Sequence, residues 1–262
     1  ADWGNYGMRE SSKEYPDMVK KPVILVFGEG GKNAQGKHGY DAEAIAALLP
    51  ALNPSIAQTY DVKRLTDPPS LTRGASHRSV QNWMEKLSDM IAEQERVRPV
   101  HAVIVHQDTD QEDADLEGRT QLLEHLKQLK IPAVRKRDSK KGQRNKSKSL
   151  SHNHREVLAV TPVRMTEAWW LLFPETVRTL APGAWRDLKF AQEPVERHQD
   201  PAGHLTSLTD RHTKGKRKYS KSDSPKIARK LAERIKGNQE PAKPVNPAST
   251  SWDQFVDDVR SL

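Results

Sequence analysis

Apolar residues fall into short dense runs along the chain, separated by segments with helical spacing. Val23-Ile24-Leu25-Val26-Phe27 is continuous, rich in β-branched residues and closed by the turn-forming Gly28-Glu29-Gly30-Gly31. A strand buried on both faces of a parallel sheet reads this way. Residues 40–52 (YDAEAIAALLPAL) then show helical spacing, with Asp41 as a candidate cap. A short strand is expected over Ala57–Val62. A helix is expected over Ser79–Glu95, where Val80, Trp83, Met84, Leu87 and Ile91 share one face. His101–His106 (HAVIVH) repeats the buried-strand pattern and runs into Gln107-Asp108-Thr109-Asp110. Further along, the spacing predicts a helix over Leu116–Leu129, an edge strand from Ile131, a last strand over Val157–Val163 and a helix opening at Thr166. Strands alternating with helices of this length imply βαβ units, so the expected fold is α/β with a mainly parallel sheet flanked by helices.

Two basic stretches interrupt this order: residues 135–155 (RKRDSKKGQRNKSKSLSHNHR) and 211–236 (RHTKGKRKYSKSDSPKIARKLAERIK). The second begins as a loop and continues as a basic helix from about Pro225. Polar, proline-containing linkers lie between and beyond them. The expected organisation is an N-terminal extension over 1–20 and an α/β core over 21–180, with 135–155 as a basic loop. A basic helical C-terminal extension over 181–262 follows. With 43 Lys and Arg against 35 Asp and Glu, the formal charge is +8, which favours an anionic partner, nucleic acid first. A solvated basic surface is the plainer reading of the same charge. Cysteine is absent, which excludes disulfides, thiolate zinc sites and cysteine nucleophiles. No apolar run approaches the ~20 residues that span a bilayer. The polar opening ADWGNYGMRESSKEYP lacks an apolar h-region, so neither a signal peptide nor a membrane partner is expected, and the expected location is cytoplasmic.

The chemistry concentrates in acids that follow strands. Glu29 comes directly after the first strand, and Asp108 and Asp110 after the strand ending at His106. In an open parallel sheet the carboxyl ends of neighbouring strands face one crevice, so acids distant in sequence can converge there. The i, i+2 spacing of Asp108 and Asp110 points both side chains the same way in extended backbone. Carboxylates gathered in one crevice repel unless a cation joins them, and Mg²⁺, with its preference for oxygen ligands and phosphates, is the usual solution. One or two such ions could polarise a phosphoryl oxygen and generate an attacking hydroxide. Read alone, Asp-x-Asp after a strand is an ordinary turn with a helix cap.

The segments VILVFGEG and HAVIVHQDTD resemble the two signature motifs of the Toprim superfamily. Topoisomerases, primase cores, RNA-maturation nucleases and nucleases of the overcoming-lysogenization type belong to it. The resemblance implies that Glu29, Asp108 and Asp110 hold Mg²⁺ or Mn²⁺. A closer likeness covers nearly the whole chain. RMTEAWWLLF, Tyr219-x-Lys221 and the closing ASTSWDQFVDDVRSL are similar to segments of a bacterial family of small stand-alone Toprim-like proteins. Such proteins are encoded beside an ATPase and associated with anti-phage defence. That implies a metal-dependent nuclease acting on DNA or RNA, with an ATPase partner. The likeness places Glu167 near the same crevice, as a further ligand or as an acid positioning a basic group. A helix N-terminal carboxylate stabilised by the dipole is the alternative. It also makes Lys221 a residue that neutralises charge on the scissile phosphate, against simple backbone contact or solvation. The stretch GGKNAQGKHGYD is longer than the usual Toprim turn, and either Asp41 or Glu43 could supply a second acid after Glu29.

Three other functions compete with a free nuclease or modify it. A latent Toprim-like subunit held by an ATPase would use the apolar face Trp252, Phe255, Val256 and Val259 for docking, unless that face packs on its own core. Gly31–His38 nearly matches a phosphate-binding loop, with Lys37 in the lysine position and His38 where a Ser or Thr would hold Mg²⁺. A nucleotide-binding protein would depend on Lys37. A topoisomerase is disfavoured, because no motif places a tyrosine nucleophile near Glu29. Of Trp169 and Trp170, at least one is expected in the core, and the other could stack on a base. His152 and His154 fall in the basic loop and are expected to be solvated, and His38 and His77 are expected bystanders.

Overall fold

The computed structural model describes residues 20–28, 39–65, 76–108, 124–125, 156–162, 165–190, 194–245 and 249–262. Strands β1 (Val23–Phe27), β2 (Asp61–Arg64), β3 (Val100–His106) and β4 (Glu156–Val160) form one sheet in the order β2-β1-β3-β4. All three pairings are parallel. The helices are α1 (Tyr40–Leu52), α2 (Pro54–Thr59), α3 (His77–Glu95), α4 (Glu167–Trp170), α5 (Pro174–Leu180), α6 (Pro182–Trp185), α7 (Pro201–Thr213), α8 (Ser224–Lys236) and α9 (Thr250–Ser261). The expected α/β fold, a parallel sheet flanked by helices, is the one the chain adopts.

The two-residue period of the strands divides the core into two layers. Ile24, Val26, Ala102, Ile104, Leu158 and Val160 point to the layer that contains α1, α8, α9 and the tryptophans of α4. Val23, Leu25, Phe27, Val103, Val105 and Ala159 point to the other face, where α3 contributes Trp83, Leu87 and Ile91. Because both faces are covered, β1 and β3 can be apolar at nearly every position. Gly28 ends β1 where a Cβ would lie 2.4 Å from the Ala42 backbone nitrogen. Only a glycine permits that approach, and it brings the first turn of α1 against the end of β1.

Several sequence expectations need correction. The strand expected over Ala57–Val62 is instead α2 followed by β2. Asn53 caps α2, its Oδ1 accepting the Ser55 N–H at 3.1 Å, and Pro54 takes the first helical position. Asp41 does not cap α1; Gly39 holds that position, without a side-chain bond. The segment after 180, expected to contain linkers, carries α6 and α7, with Trp185, Leu188, Val195 and Leu205 buried. One continuous core therefore runs across position 180. Within the helix expected over 116–129, residues 124 and 125 are described and are helical. The edge strand from Ile131 and the basic loop 135–155 lie outside the described residues.

The C-terminal helices complete the core. Helix α8 lies along α1, and α9 packs on α1 and α4. Trp252, Phe255, Val256 and Val259 are all buried, so this face is core and not a docking surface. Trp169 stacks on Phe255 at 5.1 Å and meets Trp252 edge-on at 5.2 Å. Its indole N–H donates to Ser251 Oγ at 3.1 Å, and that of Trp170 donates to Ser224 Oγ at 2.9 Å. Both rings are fully buried, which removes the base-stacking reading for either.

Candidate functional site

The carboxyl end of the sheet gathers side chains from four segments. Within β3, His106 has the same parity as Ala102 and Ile104, so it points toward α1 and α4. It is buried, with Nε2 2.9 Å from Thr166 Oγ1 and 3.2 Å from Asp108 Oδ1. Asp108 Oδ1 also accepts the Thr166 N–H at 3.2 Å. The end of β3 is thereby fastened to the start of α4, where Glu167 follows.

Two further carboxylates face inward. Asp41, in the first turn of α1, is 1% exposed, and Glu167, the first residue of α4, is 0% exposed. Asp41 Oδ2 lies 3.5 Å from Lys221 Nζ, and Glu167 Oε1 accepts the Tyr219 hydroxyl at 3.2 Å. Asp41 Oδ1 and Glu167 Oε2 are buried and have no hydrogen-bond partner among the described residues. Orphaned charged oxygens of this kind are costly and require a proton or a cation. Glu43, the other acid of the first turn, faces away and pairs with Arg229 at 2.9 Å and Arg64 at 3.5 Å. Of the two candidate second acids, Asp41 is the one in the centre.

The electrostatics follow from burial and crowding. Burial, then the neighbouring Asp41 charge, pushes Glu167 up to about 7. Burial raises Asp41 as well, with the charge of Asp108 adding to it and His106 and Lys221 opposing it. Burial and the adjoining Glu167 carry Tyr219 well above its ordinary value, so it stays a hydrogen-bond donor. For Lys221, burial works against the charge, but Asp41, Glu167 and Asp108 outweigh it and raise the ammonium's pKa. Lys221 is the cation that these three carboxylates share.

A pH dependence of stability follows with a definite sign. Glu167 binds its proton more tightly in the folded chain, so its contribution is fully present below about 4.5 and is lost as pH rises through about 7. Stability in chelator should therefore fall across that window, by up to about 3 kcal/mol from this group. Glu167→Gln should flatten the profile, measured by chemical denaturation at several pH values. An equally steep decline in the variant would show that Glu167 is not its source.

Of the residues assigned to the site from sequence, Asp108, Glu167 and Lys221 come together at this end of the sheet. Glu29 and Asp110 lie outside the described residues, as do Lys37, His38, His152 and His154. Among the described residues no three His, Asp or Glu side chains are grouped to hold an ion by themselves. Mg²⁺, however, requires only one or two protein carboxylates beside waters and substrate phosphate. The hard oxygen donors of Asp41, Asp108 and Glu167, with two orphaned atoms among them, suit it in kind.

His106 and Thr166 were not singled out by sequence reasoning, and Tyr219 entered it only through a likeness. The strand parity was the available signal for His106, since a polar residue at an inward position of a buried strand needs a partner. No helix among the described residues is long and apolar enough to cross a membrane. No protein-family model, no curated protein and no solved structure matches the chain.

Proposed function

We propose that this chain is a Mg²⁺-dependent nuclease of the Toprim kind, cleaving DNA or RNA phosphodiesters beside an ATPase partner in anti-phage defence. The supporting observation is the meeting of Asp41, Asp108 and Glu167 with Lys221 at the carboxyl end of the central strands. Asp41 and Asp108 would hold the ion, with Glu29 and Asp110 as the further ligands that the sequence motifs imply. When bound, Mg²⁺ or Mn²⁺ supplies a Lewis acid for a phosphoryl oxygen and an activated water. Lys221, half-exposed at the rim, is suited to neutralise a non-bridging phosphate oxygen. Glu167, with a pKa of about 7, is suited to carry a proton, and Tyr219 holds its Oε1 while Oε2 stays without a partner among the described residues.

The test is cleavage by the purified chain of single- and double-stranded DNA, tRNA and other RNAs, with Mg²⁺, Mn²⁺ or chelator. Metal-dependent cleavage of at least one substrate is expected, and co-purification with an ATPase would support the partnership. A second readout does not require catalysis. A cation that binds only the folded state adds about 2.7 kcal/mol at a hundredfold excess over Kd. Mg²⁺ should therefore raise the melting temperature of the wild type, and much less that of an Asp41→Asn/Asp108→Asn double variant. Metal-insensitive melting together with no cleavage would sink the proposal.

A further inference from the structure

Between α7 and α8 the chain reads Lys214-Gly215-Lys216-Arg217-Lys218-Tyr219-Ser220-Lys221. Five basic side chains in eight residues would ordinarily make a mobile, solvated loop. Here the turn is fixed from within. Lys214 (φ 51°) and Gly215 (φ 79°) close α7 in the left-handed conformation, which a lysine adopts only when its surroundings impose it. Arg217 turns inward. Its guanidinium forms two bonds to the buried Asp223, at 2.9 and 2.8 Å, and lies 4.7 Å from the Trp185 ring centre.

The backbone of the turn is held as firmly. The Arg217 carbonyl accepts from the Trp185 indole at 2.9 Å and from Thr213 Oγ1 at 3.1 Å. Arg217 Nη1 donates to the Lys218 carbonyl at 2.7 Å, and the Tyr219 N–H donates to Thr209 Oγ1 at 2.7 Å. Arg217 and Tyr219 are directed inward, while Lys216 and Lys218 on either side of Arg217 are exposed. Lys214, Lys216 and Lys218 are exposed, and none pairs with a carboxylate among the described residues. Such close like charges repel, and a strip of regularly spaced anions would offset the repulsion.

We propose that the turn 214–218 is a rail for the phosphate backbone of a single nucleic-acid strand, delivering it to Lys221. Three exposed lysines within five residues, on a turn held in place by buried bonds, present a fixed positive patch of the kind that holds backbone phosphates. Three residues beyond Lys218, Lys221 already reaches Asp41, so a backbone lying on the rail continues into the acidic centre. This inference rests on reading that centre as one that works on phosphodiesters. It assigns to these three lysines a task distinct from that of Lys221, namely holding the strand without touching the reacting phosphate.

The experiment is binding of a short labelled single-stranded oligonucleotide, as DNA and as RNA, followed by fluorescence anisotropy in chelator across a salt series. For Lys214→Gln/Lys216→Gln/Lys218→Gln, Kd should rise roughly tenfold or more at moderate salt, and the slope of log K against log salt should fall by about 2. A charge-matched variant, Lys20→Gln/Lys86→Gln/Lys189→Gln, should bind nearly as the wild type does, because its exposed lysines are scattered elsewhere. An unchanged Kd and slope in the turn variant, or an equal loss in the scattered one, would overturn the rail. No metal is present, so loss of binding confined to the turn variant supports the rail even if the wild type cuts nothing. Failure of the nuclease reading is thus seen separately.

Discussion

Asp41→Asn and Asp108→Asn are each expected to lower Mg²⁺-dependent cleavage by about a thousandfold or more, while the chain stays folded. Asparagine keeps the shape of aspartate and removes the charge on which a divalent ion depends. A bound metal contributes several kcal/mol of charge stabilisation in phosphoryl transfer, and each 1.36 kcal/mol lost costs about tenfold in rate. For Asp41 the effects on activity and stability should have opposite signs. Burial raises the pKa of its carboxylate, so the charged form is costly there, with one oxygen orphaned and the other beside Lys221. Asn removes the repulsion with Asp108 and Glu167, and the half-exposed Lys221 can be hydrated instead. The Asp41→Asn melting temperature in chelator should therefore equal or exceed that of the wild type. Initial cleavage rates and thermal unfolding of the same preparations measure both effects. Wild-type cleavage by either variant would remove that residue from the metal centre.

Trp252→Ala is expected to destabilise the fold by about 3–5 kcal/mol, the range for deleting a large aromatic from a packed core. At 2–4 °C per kcal/mol for a chain of this size, the melting temperature should drop by roughly 10 °C. The ring is fully buried between Trp169, Phe173 and Phe255, and its indole N–H donates to the Ala242 carbonyl at 2.7 Å. Truncation would leave a cavity beneath α4 and an unpaired carbonyl at its edge. Because α4 carries Glu167, the loss should also weaken the centre. Denaturant unfolding gives the stability directly, and a change below about 1 kcal/mol would show that α9 is not part of the core.

The central strands and α1, α3 and α8 were legible because burial dictates composition there. VILVF and HAVIVH have no polar face to alternate with, and the apolar stripe of α3 repeats at helical spacing. A strand was expected near edge strand β2, but its bounds were not legible, since Asp61–Arg64 (DVKR) is partly exposed and its hydrophobic signal is weak. The helices between 174 and 213 were obscured by the same prolines that start them. Pro174, Pro182 and Pro201 each open a helix, where the missing N–H costs nothing, and in sequence they resemble linker punctuation. In the centre, Asp108, Glu167 and Lys221 were anticipated from motifs, but Asp41 could not be separated from Glu43. The two differ by about half a helical turn, and only the packing of α8 decides which of them faces inward. Tyr219 and Glu167 are 52 residues apart, and no local pattern could have joined them.

The order in which these parts leave the ribosome has its own effect. Asp41, Asp108 and Glu167 are synthesised well before Lys221, and Trp252 and Phe255 emerge later still, to cover Trp169. Until the segment before α8 arrives, Asp41 lacks Lys221 and Glu167 lacks the Tyr219 hydroxyl, so a nascent chain carries these acids without their shared cation. The centre is complete only once Tyr219 and Lys221 are in place, and a chain ending before them would lack its cation.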